Sequence, residues 1–229
     1  MWSGSCGMTV NEVIVEANGV EFHCLESGTG PLALCLHGFP DTAHTWDAFL
    51  PALADAGFHA VAPFMRGYSP TGPAADGRYQ AGVLAQDACA LHDALGGGDP
   101  GVIIGHDWGA AATYGAACHE PDRWHRVVTM AVPPKRDVEA IFSDYRQIRR
   151  ASYVFIFQSP MAEIIVRQND WAFIEGLRSD WSPRYDSSGD LAVVRDALSP
   201  PGCLTAALGY YRQALQVELQ DPTLAGWQE

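Results

Sequence analysis

The sequence contains no run of about 18 consecutive apolar residues, the length that a helix needs to cross a bilayer. Its first residues lack the positively charged segment followed by an apolar stretch that marks a secretory signal. The six cysteines form no CxxC pair and no short metal-ligand spacing, so we interpret them as reduced, mostly buried side chains. We therefore expect no membrane partner, a cytoplasmic location, and no metal or organic cofactor.

Basic residues are scarce. The 229 residues include 14 Lys and Arg against 27 Asp and Glu, a formal net charge of −13. A field of this sign repels phosphate backbones, so we expect no nucleic-acid partner. Only 4 of the basic residues precede position 134, which indicates a change of character near residue 133.

Residues 1–133 show the alternation of strands and helices that is typical of an α/β fold. Apolar alternation around Asn18-Gly19 predicts a β-hairpin over 9–15 and 20–25. Uniformly apolar runs bounded by Gly and Pro predict buried parallel strands. Those strands are placed at 32–36, 59–64, 102–104 and 126–131, with helices at 46–56 and 80–95. This order predicts a doubly wound, mostly parallel sheet with its function beyond the carboxyl ends of the strands.

After Pro134 the pattern changes to consecutive helices separated by prolines. Helices are predicted at 138–150, 161–168, 171–181, 191–198 and 204–215. We predict three parts: residues 1–133 as core, 134–219 as a helical cap, and 220–229 as the start of a return to the core.

The most informative stretch is Gly105-His106-Asp107-Trp108-Gly109, which follows a buried strand and opens a helix rich in small residues. This pattern predicts a nucleophile elbow, in which glycines allow close backbone contact while the central side chain projects over the sheet. Asp107 can attack carbon directly and form an ester. The alternative is a plain aspartate at the start of a helix.

A second glycine turn, His37-Gly38-Phe39-Pro40, follows the strand at 32–36. In this architecture, the backbone N–H after the nucleophile pairs with one from this turn to stabilise negative charge. The predicted oxyanion hole therefore consists of the Phe39 and Trp108 N–H groups. A simple turn before a helix explains the same residues without any chemistry.

The sequence resembles the α/β-hydrolase superfamily, and within it the epoxide hydrolase branch that uses an aspartate nucleophile. HGFP at 37–40, RGYSPTG at 66–72 and GHDWGA at 105–110 occur in the expected order. The resemblance covers most of the chain and implies an α/β-hydrolase fold with an inserted cap. It also implies a small apolar epoxide as substrate.

Two tyrosines in the predicted cap resemble those that donate hydrogen bonds to the epoxide oxygen in that family. They are Tyr153, in SYVFIFQ, and Tyr211, in LGYYR. On a helix Tyr211 shares the stripe of Leu204, Leu208 and Leu215, while Tyr210 is displaced by about 100°. We predict catalytic roles for Asp107, Tyr153 and Tyr211, and substrate contacts for His37, Trp108 and Phe157.

Three alternatives stay open. A haloalkane dehalogenase would also use Trp108, but Phe39 stands where that family usually has a polar halide donor. A non-catalytic remnant of the fold would only bind a small ligand. A serine esterase is disfavoured by aspartate at position 107.

No histidine follows His125, whereas the family order is nucleophile, acid, then histidine. His119 and His125 are expected at the far end of the helix after the elbow. We therefore expect that the C-terminal strands and helices, with the catalytic acid and base, are missing. Such a chain would form the Asp107 ester once without turnover, and a homodimer could cover the exposed sheet edge.

Overall fold

A computed structural model describes residues 9–96, 98–134 and 143–228. Within these residues the strands have the sheet order β1-β2-β4-β3-β5-β6. The strands are β1 (Asn11–Ala17), β2 (Val20–Ser27), β3 (Leu32–Leu36), β4 (His59–Pro63), β5 (Gly101–His106) and β6 (Trp124–Met130). The pairs β1–β2 and β2–β4 are antiparallel. The strands β4, β3, β5 and β6 are parallel to one another. The predicted mostly parallel sheet is confirmed.

The predicted N-terminal hairpin is also confirmed. Ala17 pairs with Val20, so the turn consists of Asn18 and Gly19 alone. Both residues have positive φ, 46° and 72°. This is the left-handed conformation that a two-residue hairpin turn needs and that Asn-Gly adopts easily.

Three helices lie between the strands: α1 (Phe49–Asp55), α2 (Ala81–Gly96) and α3 (Trp108–His119). In the described part of the chain, five helices follow the strands: α4 (Tyr145–Arg150), α5 (Ser152–Ile156), α6 (Ala162–Trp181), α7 (Ser188–Leu198) and α8 (Cys203–Leu215). Short 3-10 turns cover Ala43–Trp46, Pro121–Arg123, Val217–Leu219 and Pro222–Gln228.

Two helix predictions need correction. The single helix predicted at 46–56 consists of two elements, a 3-10 turn and the separate helix α1. The Thr42 side chain caps the start of the 3-10 turn, because it accepts a hydrogen bond from the His44 N–H. The helix predicted at 138–150 lies partly outside the described residues, and its described part is α4. By contrast, the two helices predicted at 161–168 and 171–181 are the two halves of α6, separated by non-helical backbone at Gln168–Trp171.

Both faces of the sheet are buried, and alternate side chains of β3 belong to two hydrophobic cores on opposite faces. Leu32, Leu34 and Leu36 belong to the core that also contains buried residues of α2 and α8. Cys35 belongs to the core beneath α1, with Trp46 and Leu50. The central strands therefore rest on two rigid layers, and their carboxyl ends are held in fixed positions.

The described strands all precede residue 131, and the helices α4 to α8 all follow residue 143. This order agrees with the predicted change of character near 133, although the proposed domain limits stay a prediction. No helix in the described part of the chain is both long enough and apolar enough to span a membrane.

Candidate active site

Asp107 occupies a strained turn between β5 and α3. Its φ of 54° and ψ of −117° lie outside the regions that most residues adopt. The flanking glycines allow the turn, because a Cβ at Gly105 would collide with the backbone of Gly109, and a Cβ at Gly109 with the backbone of Leu36. The sequence pattern predicted this strand, turn and helix correctly.

The turn after β3 lies directly against the Asp107 carboxylate. The Phe39 N–H donates a hydrogen bond of 2.9 Å to Asp107 Oδ1, and the Trp108 N–H is close enough to the same carboxylate to lower its pKa. A Cβ at Gly38 would overlap the Asp107 side chain, so glycine is required for the approach. The two N–H groups predicted as an oxyanion hole therefore converge on Asp107.

Neighbouring groups and burial shift the pKa of the Asp107 carboxyl in opposite directions. Burial raises the pKa of its carboxyl above the usual value, since the charged form is poorly solvated. The two backbone N–H donors and nearby His106 oppose this shift, while Asp41 adds to it. The N–H donors stabilise the anion that a nucleophile must present.

Tyr153 on α5 and Tyr211 on α8 lie together above Asp107, with ring centroids 5.7 Å apart. Burial raises the pKa of both phenols, and the negative charge of Asp107 raises them further. Both are therefore neutral proton donors over the ordinary pH range. The buried Tyr211 hydroxyl has no well-formed hydrogen bond among the described residues, so it can accept a new partner.

Aromatic rings pack around Tyr211 and fix its orientation. The centroids of Phe157, Trp108 and Phe39 lie 5.0, 5.1 and 5.5 Å from that of Tyr211, each in an edge-to-face arrangement. Phe157 is fully buried. Phe157 therefore differs in depth from an open-cleft residue: it lies behind the tyrosine rings, supports them, and is not part of the described cleft lining. Its predicted contact with substrate stays a prediction.

His37 also differs from its predicted role as a substrate contact. It is fully buried, and its Nδ1 lies 3.0 Å from the Gly38 carbonyl oxygen. Its Nε2 accepts a 3.0 Å hydrogen bond from the Met65 N–H. Both ring nitrogens are therefore engaged by backbone, and His37 braces the glycine turn instead of facing a ligand. Burial lowers its pKa to about 4, so it is neutral.

Tyr210, predicted to be displaced from the inward stripe, is buried as well. Its hydroxyl donates a 2.7 Å hydrogen bond to the carbonyl oxygen of Arg66. Arg66 is itself fully buried and forms an ion pair with Asp87 at 2.5 Å. Because Tyr210 precedes Tyr211, this contact anchors α8 to the core beside the site.

An open cleft of about 810 Å³ leads to Asp107. Phe39, His106 and Tyr153 line it, together with side chains that the sequence motifs do not identify: Asp41, Arg178, Trp181, Tyr185 and Asp190. Arg178 and Trp181 come from α6, Tyr185 from the segment after it, and Asp190 from α7. Only their position next to the motif residues in space reveals them, and no local pattern in the sequence signals it.

Among the residues that the structure describes, no group of three or more His, Cys, Asp or Glu side chains is arranged to hold a metal ion. The polar groups gathered around Asp107 are its own carboxylate, the phenols of Tyr153 and Tyr211, and two backbone N–H groups. This set suits nucleophilic attack by oxygen and stabilisation of an oxyanion.

Several known proteins are similar to this chain in sequence or in fold. The family model of the alpha/beta hydrolase fold matches residues 31–183. An epoxide hydrolase of Caballeronia sordidicola is 38% identical over 151 residues, which cover 65% of this chain and 46% of that protein. The AB hydrolase superfamily protein YfhM of Bacillus subtilis is 32% identical over 206 residues, covering 86% of this chain and 71% of that protein.

Among solved structures, an epoxide hydrolase from Vigna radiata superposes with a TM-score of 0.76 at 30% identity, covering 96% of this chain and 75% of the other. The chain thus matches about half the length of the Caballeronia enzyme and three quarters of the Vigna structure. From the strand order, the elbow at Asp107 and these matches, the chain belongs to the alpha/beta hydrolase fold family.

Proposed function

We propose that this chain opens a small, largely apolar epoxide through an ester on Asp107. One carboxylate oxygen of Asp107 attacks an epoxide carbon, and the bond between that carbon and the epoxide oxygen breaks. The released oxygen takes a proton from Tyr153 or Tyr211. The products are a hydroxyalkyl ester on Asp107 and a phenolate, which regains its proton from solvent.

The arrangement of Asp107 opposite two neutral phenols carries this proposal. An epoxide requires attack from one side and proton donation from the other, because its oxygen gains alkoxide character as the ring opens. Asp107 projects from the sheet side and the tyrosines from helices α5 and α8. The similarity to proteins named as epoxide hydrolases supports the same chemistry.

The two N–H groups of Phe39 and Trp108 serve the second half-reaction in this proposal. When water attacks the ester carbonyl, negative charge develops on the oxygen that these groups already face. Attack by water also needs a base. The histidines that line the cleft are His44 and His106, and His44 Nδ1 already lies 3.0 Å from Asp47. We propose that ester hydrolysis is slow when His44 and His106 are the only histidines of the described lining that can act as the base.

The ratio of product to protein tests the proposal. The protein is incubated with an excess of a neutral aryl epoxide, and free diol and ester-bound diol are quantified over time. We expect about one ester per chain and little free diol. Continuous release of many diols per chain would refute slow hydrolysis, while the absence of both species would refute the alkylation step.

Two alternatives have less support from the site. A dehalogenase needs hydrogen-bond donors for the leaving halide. The side chain of Phe39 is an aromatic ring and cannot donate such a bond. A pure binding module would bind an apolar ligand reversibly and would still do so with Asp107→Ala. Covalent capture in the unsubstituted protein separates these cases.

Three wider features belong to the same proposal. Residues 134–219 act as a cap that carries both tyrosines. The protein works in the cytoplasm, in keeping with its free cysteines, among them Cys24, Cys35 and Cys89. A homodimer forms along β6, where Val127 and Val128 are more than two-fifths exposed; sedimentation velocity would detect it.

A further inference from the structure

The outer part of the cleft has an unusual charge balance. The described lining carries four carboxylates, on Asp41, Asp47, Asp107 and Asp190, but a single guanidinium, on Arg178. A cleft with low-dielectric walls concentrates the field of the charges along it. The charge state of a substrate should therefore affect how readily it enters.

Arg178 is not free to attract an anionic substrate. Its side chain is only 10% exposed. One terminal nitrogen, Nη2, donates to the Pro40 carbonyl oxygen at 3.1 Å and also to the Asp41 carboxylate, and Nη1 lies 3.2 Å from Asp190. The guanidinium is thus occupied by groups of the protein, and the neighbouring carboxylates offset its charge.

Two aromatic side chains line the same cleft. Trp181 is 39% exposed and Tyr185 is 61% exposed. Trp181 packs edge-to-face against Tyr153 with a centroid distance of 5.2 Å, so a substrate held at Tyr153 can reach Trp181 with its far end. Exposed aromatic faces beside carboxylates are the surroundings that organic ammonium groups favour, through cation–π and charge interactions.

Charged groups elsewhere in the chain do not cancel the excess of carboxylates over basic groups in the cleft. Residues 135–142, outside the described part, contain two basic and two acidic side chains and so add no net formal charge. His44 and His106 also line the cleft, and the Nδ1 of His44 lies 3.0 Å from a carboxylate oxygen of Asp47. The whole chain has a formal charge of −13.

We propose that the cleft selects substrates by charge, and that epoxides whose far substituent carries an ammonium group react faster than neutral ones, which react faster than anionic ones. This inference rests on the proposed function, because it assigns a substrate class to the same site. The excess of lining carboxylates over the single guanidinium supplies the long-range attraction, and Trp181 with Tyr185 receives the cationic group.

Three aryl epoxides of nearly equal size test the order. Their para substituents are trimethylammoniomethyl, neopentyl, which has the same shape without charge, and sulfonatomethyl. The rate of ester formation on the protein is followed by intact mass at about pH 8 and low salt, and each rate is divided by the rate of the same epoxide with free acetate. We expect the cation to exceed the anion by about tenfold or more, with a smaller ratio at high salt.

Asp190→Asn is the test variant, because it removes a lining carboxylate. Asp55→Asn is the matched control, since Asp55 is exposed at the end of α1, outside the described cleft lining, and its loss changes the total charge equally. We expect the cation-to-anion ratio to fall about threefold or more with Asp190→Asn, and to stay within about 1.5-fold with Asp55→Asn. Equal effects of the two variants would overturn the role of the cleft charges.

A binding measurement with ligands that cannot react distinguishes a failure of this inference from a failure of the proposed function. If no epoxide forms an ester, the alkylation proposal fails, and titration calorimetry with benzyltrimethylammonium and phenylmethanesulfonate then decides the charge question. Tighter binding of the ammonium supports the charge selection of the cleft. Equal or tighter binding of the sulfonate, or equal ester formation by the anionic epoxide, overturns it.

Discussion

The backbone nitrogen of Phe39 lies 2.9 Å from Oδ1 of Asp107, although the two residues are 68 positions apart. The parallel pairing of β3 with β5 brings them together, because Leu36 pairs with Gly105 and both strands end at the same edge of the sheet. The proposed nucleophile is thus oriented by the loop that is also proposed to stabilise its ester during hydrolysis.

The tyrosine hydroxyls are predicted to accelerate ring opening. Tyr211→Phe removes one proton donor and keeps the ring contacts with Trp108 and Phe157. We expect ester formation to slow by about 10- to 100-fold with Tyr211→Phe or Tyr153→Phe, and by more with both. Tyr114→Phe is a control, because that hydroxyl bonds the Val132 carbonyl oxygen and does not line the cleft. A double Phe variant with the unsubstituted rate would contradict the role of the phenols.

The pH dependence of ester formation follows from the shifted pKa values. Attack requires ionised Asp107, whose pKa is raised by burial, so the rate should rise with pH through a midpoint above the ordinary aspartate value of about 3.9. The tyrosines must stay protonated, and burial together with the charge of Asp107 raises their pKa values. The rate should therefore not decline up to about pH 10. Stopped-time mass measurements across this range provide the profile, and a decline centred near pH 8 would be inconsistent with these environments.

Close backbone contact at the elbow predicts a large effect of Gly109→Ala. The added methyl group would collide with the backbone of Leu36, so we expect a loss of about 3 kcal/mol or more in the free energy of unfolding. Gly176→Ala is the matched control, because Gly176 is exposed in α6 with open space around it. Alanine there should stabilise the helix by up to about 1 kcal/mol. Urea denaturation measures both, and similar effects would argue against the tight elbow.

The buried Arg66–Asp87 ion pair is predicted to be essential for stability. Arg66→Met would leave Asp87, whose side chain is 7% exposed, without its main partner. We expect a loss of about 3–5 kcal/mol in the free energy of unfolding. Arg78→Met, at a pair whose side chains are 39% and 34% exposed, should cost less than about 1 kcal/mol. A small effect at Arg66 would show that solvent reaches the pair.

Local motifs made the centre of the site predictable. The strand, the glycines and the apolar helix around Asp107 are specified by neighbours in the sequence, as is the His37-Gly38-Phe39-Pro40 turn. The mostly parallel sheet followed from the alternation of short apolar runs with amphipathic segments, whereas the order of its strands was not predicted. Even the break in α6 near Gln168–Trp171 was visible as two separate helical patterns.

The sequence patterns did not predict contacts between segments that are distant in the chain. Arg178 meets Pro40 from 138 positions away, and no periodicity encodes that meeting. Tyr210 was predicted to face away from the inward stripe, yet α8 is enclosed on both sides, so its hydroxyl reaches Arg66. The sequence patterns also did not show how deeply Phe157 and His37 lie, since both side chains are fully buried.

The most direct test of the account is the mass of the protein after incubation with a neutral aryl epoxide, followed by peptide mapping of the modified residue. The account predicts one substrate equivalent bound through an ester on Asp107, and no adduct with Asp107→Asn, which keeps the size of the side chain but weakens its nucleophilicity. Circular dichroism and urea denaturation of both proteins confirm that they are folded. An adduct on another residue, or no adduct on a folded chain, would contradict the central claim that Asp107 is a nucleophile.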